Sequence, residues 1–160
     1  MKRTLVVIFT LIFAGAMQSQ LSDRMSILGA TPDFLIAATM AMGLVFEPTL
    51  GAVFGFAAGL THASIAGLGF GGFIASRTLL GFFVASLRTW VFQDNPVVLF
   101  AATLLGSIVC EAIYFLVDPA RGHSAVFMNL PMESVYNAIL ALVYYLLIRR
   151  TMERGLEVRG

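Results

Sequence analysis

Five polar side chains interrupt long apolar stretches of this chain: His62, Arg77, Glu111, Glu133 and Asn137. A carboxylate or an imidazole in such surroundings could transfer a proton as a general acid or base. An arginine could instead pair with a carboxylate and fix how neighbouring segments pack. Arg77 and Glu111 form the natural pair, so the sequence leaves two interpretations open, a structural ion pair and a site for a ligand or partner.

No other pattern in the sequence predicts an enzyme site. The stretch from Gly67 to Gly72, GLGFGG, formally matches the dinucleotide fingerprint G-x-G-x-x-G. That fingerprint requires a strand before it and a helix after it, whereas here it joins two apolar segments and predicts a tight turn. P-loop, H-E-x-x-H and G-x-S-x-G motifs are absent. We therefore expect a protein that is not an enzyme and has no cofactor.

The sequence predicts no metal site and no disulfide. Cys110 is the only cysteine, so neither an internal disulfide nor a C-x-x-C site can form. His62 and His123 are isolated from each other and from Cys110. We expect Cys110 to pack as a small core residue.

The composition places the chain in a membrane. Hydrophobic residues make up 59% of the 160 residues and charged residues 12%, against about 45–50% and about 25% in soluble domains. A small soluble domain leaves too much of its surface exposed to hide so much apolar area. The net charge is only +1, without the basic patch that nucleic-acid binding needs. The sequence predicts one polytopic transmembrane domain over residues 1–160 and no nucleic-acid partner.

Proline and glycine divide the chain into apolar segments. We predict an all-α integral membrane protein, a compact bundle of about six transmembrane helices. The first segment could be mistaken for a signal peptide, but we expect it to be a retained span. The segments cover residues 4–20, 33–46, 49–67, 70–87, 97–117 and 132–148.

The cationic residues predict the orientation. With both termini in the cytoplasm, seven cations outside the spans lie inside and two, Arg24 and Arg121, lie outside. This is the positive-inside bias of membrane proteins. In this orientation the five polar residues fall in the outer half of the bundle, and we expect them to satisfy one another in a closed cluster. A cavity of roughly 300 Å³ or more that opens outward would instead favour ligand capture.

Small residues recur every four positions in the third segment and therefore share one face of a helix. Small residues let helix backbones approach closely inside a membrane. The sequence predicts that the third helix is a central packing helix. The residues are Gly51, Gly55, Gly59, Ala63 and Gly67.

The longest predicted loop covers residues 118–131 and lies on the outside. Its middle is apolar, from Ala125 through Phe127 and Met128. One interpretation is a loop that dips to the membrane interface. The other is a surface on which a partner docks, with Phe127 and Met128 as candidate contact residues.

Residues 31–87 resemble the family of rod-shape-determining protein MreD. The resemblance rests on Pro32-Asp33-Phe34-Leu35, on the glycines Gly51, Gly55 and Gly59, and on Gly67-Leu68-Gly69. Many relatives have an acidic residue shortly after the Gly-Leu pair, where this chain has Thr61-His62-Ala63-Ser64. The resemblance implies a fold similar to the substrate-capture subunits of ECF-type vitamin transporters.

The resemblance also implies a function and partners. MreD-like proteins lie in the bacterial cytoplasmic membrane with MreC, the actin-like MreB, RodA and a penicillin-binding transpeptidase, and direct lateral peptidoglycan synthesis. The predicted function is a non-enzymatic scaffold of this rod complex, or elongasome. The alternatives are a substrate-capture subunit of an ECF-type transporter and an intramembrane enzyme acting on lipid.

Overall fold

The structure is a computed structural model of the chain. It describes the backbone of residues 2–91, 96–117 and 123–157, and the side chains of residues 2–88, 97–117 and 129–153. Within these ranges the chain forms six α-helices and one short 3₁₀ turn, Asp23–Met25, without a sheet. The helices are α1 Lys2–Leu21, α2 Phe34–Val45, α3 Pro48–Ala66, α4 Phe70–Val91, α5 Pro96–Val117 and α6 His123–Glu157.

The prediction of an all-α bundle of about six helices is confirmed. Five of the helices that the structure describes are long and apolar enough to cross a membrane. The exception is α2, whose 12 residues extend about 18 Å at 1.5 Å per residue. The hydrocarbon core of a bilayer is about 30 Å thick, so α2 alone is too short to span it.

Helix α6 departs from the prediction of a loop over residues 118–131. It begins at His123 and continues for 35 residues with Pro131 inside it. Proline is tolerated within membrane helices, where nearby groups can satisfy the carbonyl that it leaves free. Near Pro131, Ser134 Oγ donates a hydrogen bond to the Leu130 carbonyl over 2.7 Å. The backbone of Phe127 and Met128 is helical, and their side chains lie outside the described residues.

Helix α2 lies at the centre of the described part of the bundle, whereas the prediction of a central packing helix was made for α3, which packs closely against α4. Every residue of α2 from Phe34 to Gly43 is buried. Within the described part of the chain, α2 contacts each of the other five helices. A helix that is apolar on all sides belongs in the interior, and its short length lets it be enclosed by longer neighbours.

Both ends of the described chain lie at the same end of the bundle. Lys2 of α1 and Thr151 of α6 line one groove. At this end Arg3 Nη1 lies 3.9 Å from Glu47 Oε1, and Arg88 Nη1 donates to the Val45 carbonyl over 2.7 Å. The helices therefore alternate in direction, as a six-helix bundle with both termini on one side requires.

The small residues of α3 face α4. A Cβ on Gly51 or Gly55 would collide with the backbone oxygens of Gly81 or Arg77, and a Cβ on Gly59 would lie 2.5 Å from the Phe73 oxygen. Ala63 is fully buried on the same helix. Gly67 does not belong to this packed face, because it follows the last residue of α3 with φ +70° and a Cβ there would meet nothing within 4 Å. It ends the helix in the left-handed conformation that glycine adopts at little cost.

Candidate functional site

An ion pair between Asp33 and Arg77 lies at the centre of the candidate site. Arg77 Nη2 donates to Asp33 Oδ2, and the arginine side chain is only 1% exposed. His62 Nδ1 lies 2.9 Å from Arg77 Nη2 and 3.3 Å from Asp33 Oδ2. Arg77 Nη1 also donates to Ser76 Oγ over 3.1 Å. Three helical elements, the start of α2, the second half of α3 and the first half of α4, therefore meet at one carboxylate.

Phe73 covers one side of this cluster. Its ring lies 4.1 Å from the His62 ring at an angle of 13°, which is a stacked arrangement. The Arg77 guanidinium carbon lies 4.6 Å from the centre of the same ring, within the range of a cation–π contact. The aromatic face thus stabilises a cation in surroundings from which lipid and bulk water are largely excluded.

Asp33 also begins helix α2. Its Oδ1 accepts hydrogen bonds from the backbone N–H groups of Leu35 and Ile36, at 3.0 Å and 2.8 Å. An aspartate at this position satisfies backbone donors that have no partner inside the helix. One carboxylate group therefore has two functions: Oδ1 caps α2, while Oδ2 binds Arg77.

Side chains from α1 and α6 accept the remaining backbone donors before α2. Phe34 N–H donates to Gln18 Oε1 and Asp33 N–H donates to Asn137 Oδ1, each over 2.8 Å. Thr31 N–H donates to Glu133 Oε1 over 3.4 Å. Non-helical backbone at membrane depth requires protein or cavity partners. Glu133 and Asn137 thus help α2 to begin deeper in the bundle than the ends of the longer helices.

A polar cavity of about 410 Å³ adjoins the cluster. The expectation of a cluster closed by its own side chains is therefore wrong. The cavity exists because α2 starts deeper than its neighbours, so the ends of α1, α5 and α6 surround space that no helix fills. Its polar lining includes Gln18, Ser22, Asp23, Thr31, Asp33, His62, Ser107, Glu111, Glu133 and Asn137.

The structure thus brings the five predicted polar residues to one region, with a different partner for Arg77. The described ion pair of Arg77 is with Asp33 rather than Glu111. Glu111 is half-buried on the cavity wall and adds to the electrostatic stabilisation of the guanidinium. Among the residues with described side chains, no group of three or more His, Cys, Asp or Glu is arranged to hold a metal ion.

Asp33 and Gln18 are the residues of this site that the sequence analysis missed. In the sequence, Asp33 stands at the start of the second apolar segment, directly after Pro32, and is not among the five polar residues singled out above. An aspartate directly before an apolar run is a signal for the first residue of a helix, and that signal could have identified its capping function. Gln18 carries no comparable signal, because its partner is a backbone N–H group 16 residues away.

Comparison with known families identifies the chain. A family model described as rod shape-determining protein MreD matches residues 1–154 of the 160. The chain belongs to the MreD family. Membership in the MreD family implies a role in determining rod shape, and this family is one of shape-determining structural proteins rather than a known enzyme family. Comparisons with curated proteins and with solved structures found no match.

Proposed function

We propose that this MreD-family chain is a non-enzymatic scaffold of the rod complex in the bacterial cytoplasmic membrane. It helps an MreC-like membrane protein and MreB to direct lateral peptidoglycan synthesis, with RodA and a penicillin-binding transpeptidase in the same assembly. Both termini face the cytoplasm. The match of the MreD family to residues 1–154 carries this proposal.

The bonding of the polar cluster supports a structural protein. Asp33, Glu133, Asn137 and Gln18 accept hydrogen bonds from the backbone at the start of α2. These bonds hold the central helix in place, as a rigid docking platform requires. The outer surface of the bundle remains available to lipid and to membrane partners.

The cavity is the observation that bears on the alternative of a substrate-capture subunit. Its volume of about 410 Å³ lies within the range of small-molecule sites, about 300–1,000 Å³. Transport by an ECF-type complex needs further support, and neither the family match nor the comparison with solved structures provides it. The scaffold function is therefore the one that we propose.

Complementation together with affinity isolation tests the proposal. The chain is expressed, with a C-terminal tag, in a rod-shaped bacterium depleted of its own MreD-family protein. We expect restored cell width and recovery of an MreC-like single-pass protein from detergent-solubilised membranes. A chain that reaches the membrane in normal amounts but neither restores rod shape nor recovers such a partner would contradict the scaffold function.

A further inference from the structure

We propose that the groove between α1 and α6 binds one anionic glycerophospholipid from the leaflet on the side of both termini. An acyl chain lies along the groove, the Tyr144 hydroxyl donates a hydrogen bond to the ester carbonyl, and Lys2 binds the phosphate. This inference goes beyond the scaffold function and does not depend on it. It rests on the lining of the groove, a buried hydroxyl without a partner, and the charge at one end.

The groove runs along the surface where α1 and α6 lie side by side. Its volume is about 640 Å³, which lies in the range of small-molecule sites. Leu5 and Phe9 of α1 and Leu147 of α6 belong to its lining, and all three side chains are exposed. An acyl chain in this groove gains dispersion contacts that empty space does not provide.

The lining favours an acyl chain over a second transmembrane helix. Membrane helices pack closely where small residues let their backbones approach. The described lining of this groove contains no glycine, alanine or serine, and Val6, Phe13 and Ile148 add to its bulky side chains. A helix would meet these side chains before its backbone came close, whereas a flexible acyl chain can bend around them.

Tyr144 supplies a hydrogen-bond donor that needs an acceptor from outside the chain. Its side chain lines the groove and is only 7% exposed, and its hydroxyl has no hydrogen-bond partner among the described residues. Phe13 packs edge-on against the ring, with the ring centres 6.3 Å apart. A buried tyrosine hydroxyl normally finds a partner. An ester carbonyl at the top of an acyl chain is an acceptor of the required kind.

Lys2 places a positive charge at the end of the groove that is nearest the termini. Its side chain is exposed, and the ion pairs of the described side chains do not include it. The neighbouring Arg3, in contrast, lies 3.9 Å from Glu47 Oε1. Lysine beside a membrane segment attracts anionic lipids, so the charge at this end complements a phosphate.

The spacing of these groups matches the layers of a bilayer. Tyr144 lies seven residues before Thr151, which lines the same end of the groove as Lys2. At 1.5 Å per residue this is about 10 Å along α6. The polar layer on each side of a bilayer is about 5–8 Å thick. With a phosphate at Lys2, the Tyr144 residue therefore lies near the depth at which acyl chains begin.

Lipid titration of the purified chain tests the proposal. The chain in detergent is titrated with phosphatidylglycerol or phosphatidylcholine, and native mass spectrometry measures the fraction that carries one lipid. We expect saturable binding of one phosphatidylglycerol, about fivefold tighter than that of phosphatidylcholine because of Lys2. Equal affinity for the two lipids, or binding without saturation, would overturn the proposal.

Two variants assign the binding to this groove. Lys2→Gln should abolish the preference for phosphatidylglycerol. Tyr144→Phe should weaken the binding of both lipids about fivefold, the effect of losing one hydrogen bond. Tyr145→Phe is the matched control, because the Tyr145 hydroxyl already accepts a hydrogen bond from Arg149 Nη1 over 3.0 Å. Unchanged affinity in Tyr144→Phe, or an equal loss in the control, would overturn the proposal.

An ether-linked phosphatidylglycerol, which lacks ester carbonyls, tests the proposed acceptor. It should bind the wild-type chain about fivefold more weakly than the ester lipid does, and it should bind Tyr144→Phe as well as the ester lipid does. A loss of the same size in both proteins would show that Tyr144 does not bind the carbonyl.

Crosslinking in cells distinguishes a lipid from a protein occupant. A photoreactive benzoylphenylalanine is introduced in place of Phe9, whose exposed side chain lines the groove. After irradiation, mass spectrometry of the isolated chain should show the added mass of an intact phospholipid. A protein as the main crosslinked product would overturn the proposal and identify the groove as an interface with a partner.

Discussion

Asp33 and Arg77 lie 44 residues apart in the sequence and form an ion pair that links the start of α2 to the first half of α4. Because Asp33 also caps α2 through its second oxygen, this pair determines where the central helix begins. Arg77 in turn presents its backbone oxygen to Gly55 of α3. One residue of α4 therefore contacts both the central helix and the tightly packed face of α3.

Substitutions at Asp33 should separate its two functions. Asp33→Ser keeps a capping oxygen but removes the charge that binds Arg77, and Asp33→Ala removes both. Leaving a buried charge without its partner costs about 3–5 kcal/mol, and loss of a cap costs about 1 kcal/mol more. We expect the order of thermal stability in detergent to be wild type, then Asp33→Ser, then Asp33→Ala.

A double variant provides the control for this prediction. Asp33→Ser combined with Arg77→Met removes both charges and should be more stable than Asp33→Ser alone. The single variants Asp33→Ser and Arg77→Met are measured alongside it. A double variant that loses the full sum of their two losses in stability would show that the two side chains do not interact.

Removing a side chain that accepts a hydrogen bond from the backbone at the start of α2 should also destabilise the fold. Asn137→Leu leaves the Asp33 N–H without its 2.8 Å acceptor, and an unsatisfied buried donor costs about 1–3 kcal/mol. Gln18→Leu should act similarly through Phe34 N–H. Gln20→Leu is the control, since Gln20 lies exposed on the same helix. Melting curves of the three purified variants test this, and equal stability of Gln18→Leu and Gln20→Leu would contradict it.

The glycines of α3 should tolerate no side chain where they meet α4. Gly55→Leu or Gly59→Leu should abolish accumulation of the folded protein, because backbone atoms of α4 occupy the position of the new side chain. Gly71→Ala is the control, because its Cβ would meet only Val117, at 3.4 Å. Fluorescence-detected gel filtration of tagged variants measures the folded fraction. Normal accumulation of Gly55→Leu with restored rod shape would contradict the packing described here.

The orientation prediction places both termini in the cytoplasm. Reporter fusions at Gly160 and within residues 121–124 should give opposite signals, because an even number of helices separates the termini and the positive-inside bias sets their side. The co-location of Lys2 and Thr151 at one end requires the same side for both termini. A periplasmic reporter signal from Gly160 would contradict this orientation.

Phe127 and Met128 remain candidate residues for docking a partner. Replacing both with Ser should reduce recovery of the MreC-like protein without lowering the amount of this chain. Leu68→Ser is the control, since Leu68 is an exposed apolar residue in the turn between α3 and α4. Quantitative affinity isolation from membranes measures both amounts. Equal recovery with the double variant and the control would exclude this surface from the interface.

Composition and the positions of proline and glycine were enough to predict the helical bundle, because each membrane helix satisfies its own backbone hydrogen bonds. The position of each polar residue along its predicted helix was also enough to predict that the polar residues of α3 to α6 lie in one half of the bundle. The sequence also predicted that Gly51, Gly55 and Gly59 share one face of α3, since a four-residue spacing keeps residues on one side of a helix.

Only the tertiary structure decided which groups meet. Arg77 binds Asp33 rather than Glu111 because α2 begins at the depth of Arg77, and that depth depends on acceptors supplied by Gln18 and Asn137 from distant parts of the chain. The cavity arises from the same cause, since the short α2 leaves space between the longer helices. The sequence determined which segments are helices through local periodicity and backbone bonding. The partner of Arg77 and the presence of the cavity depend instead on where whole helices end relative to one another.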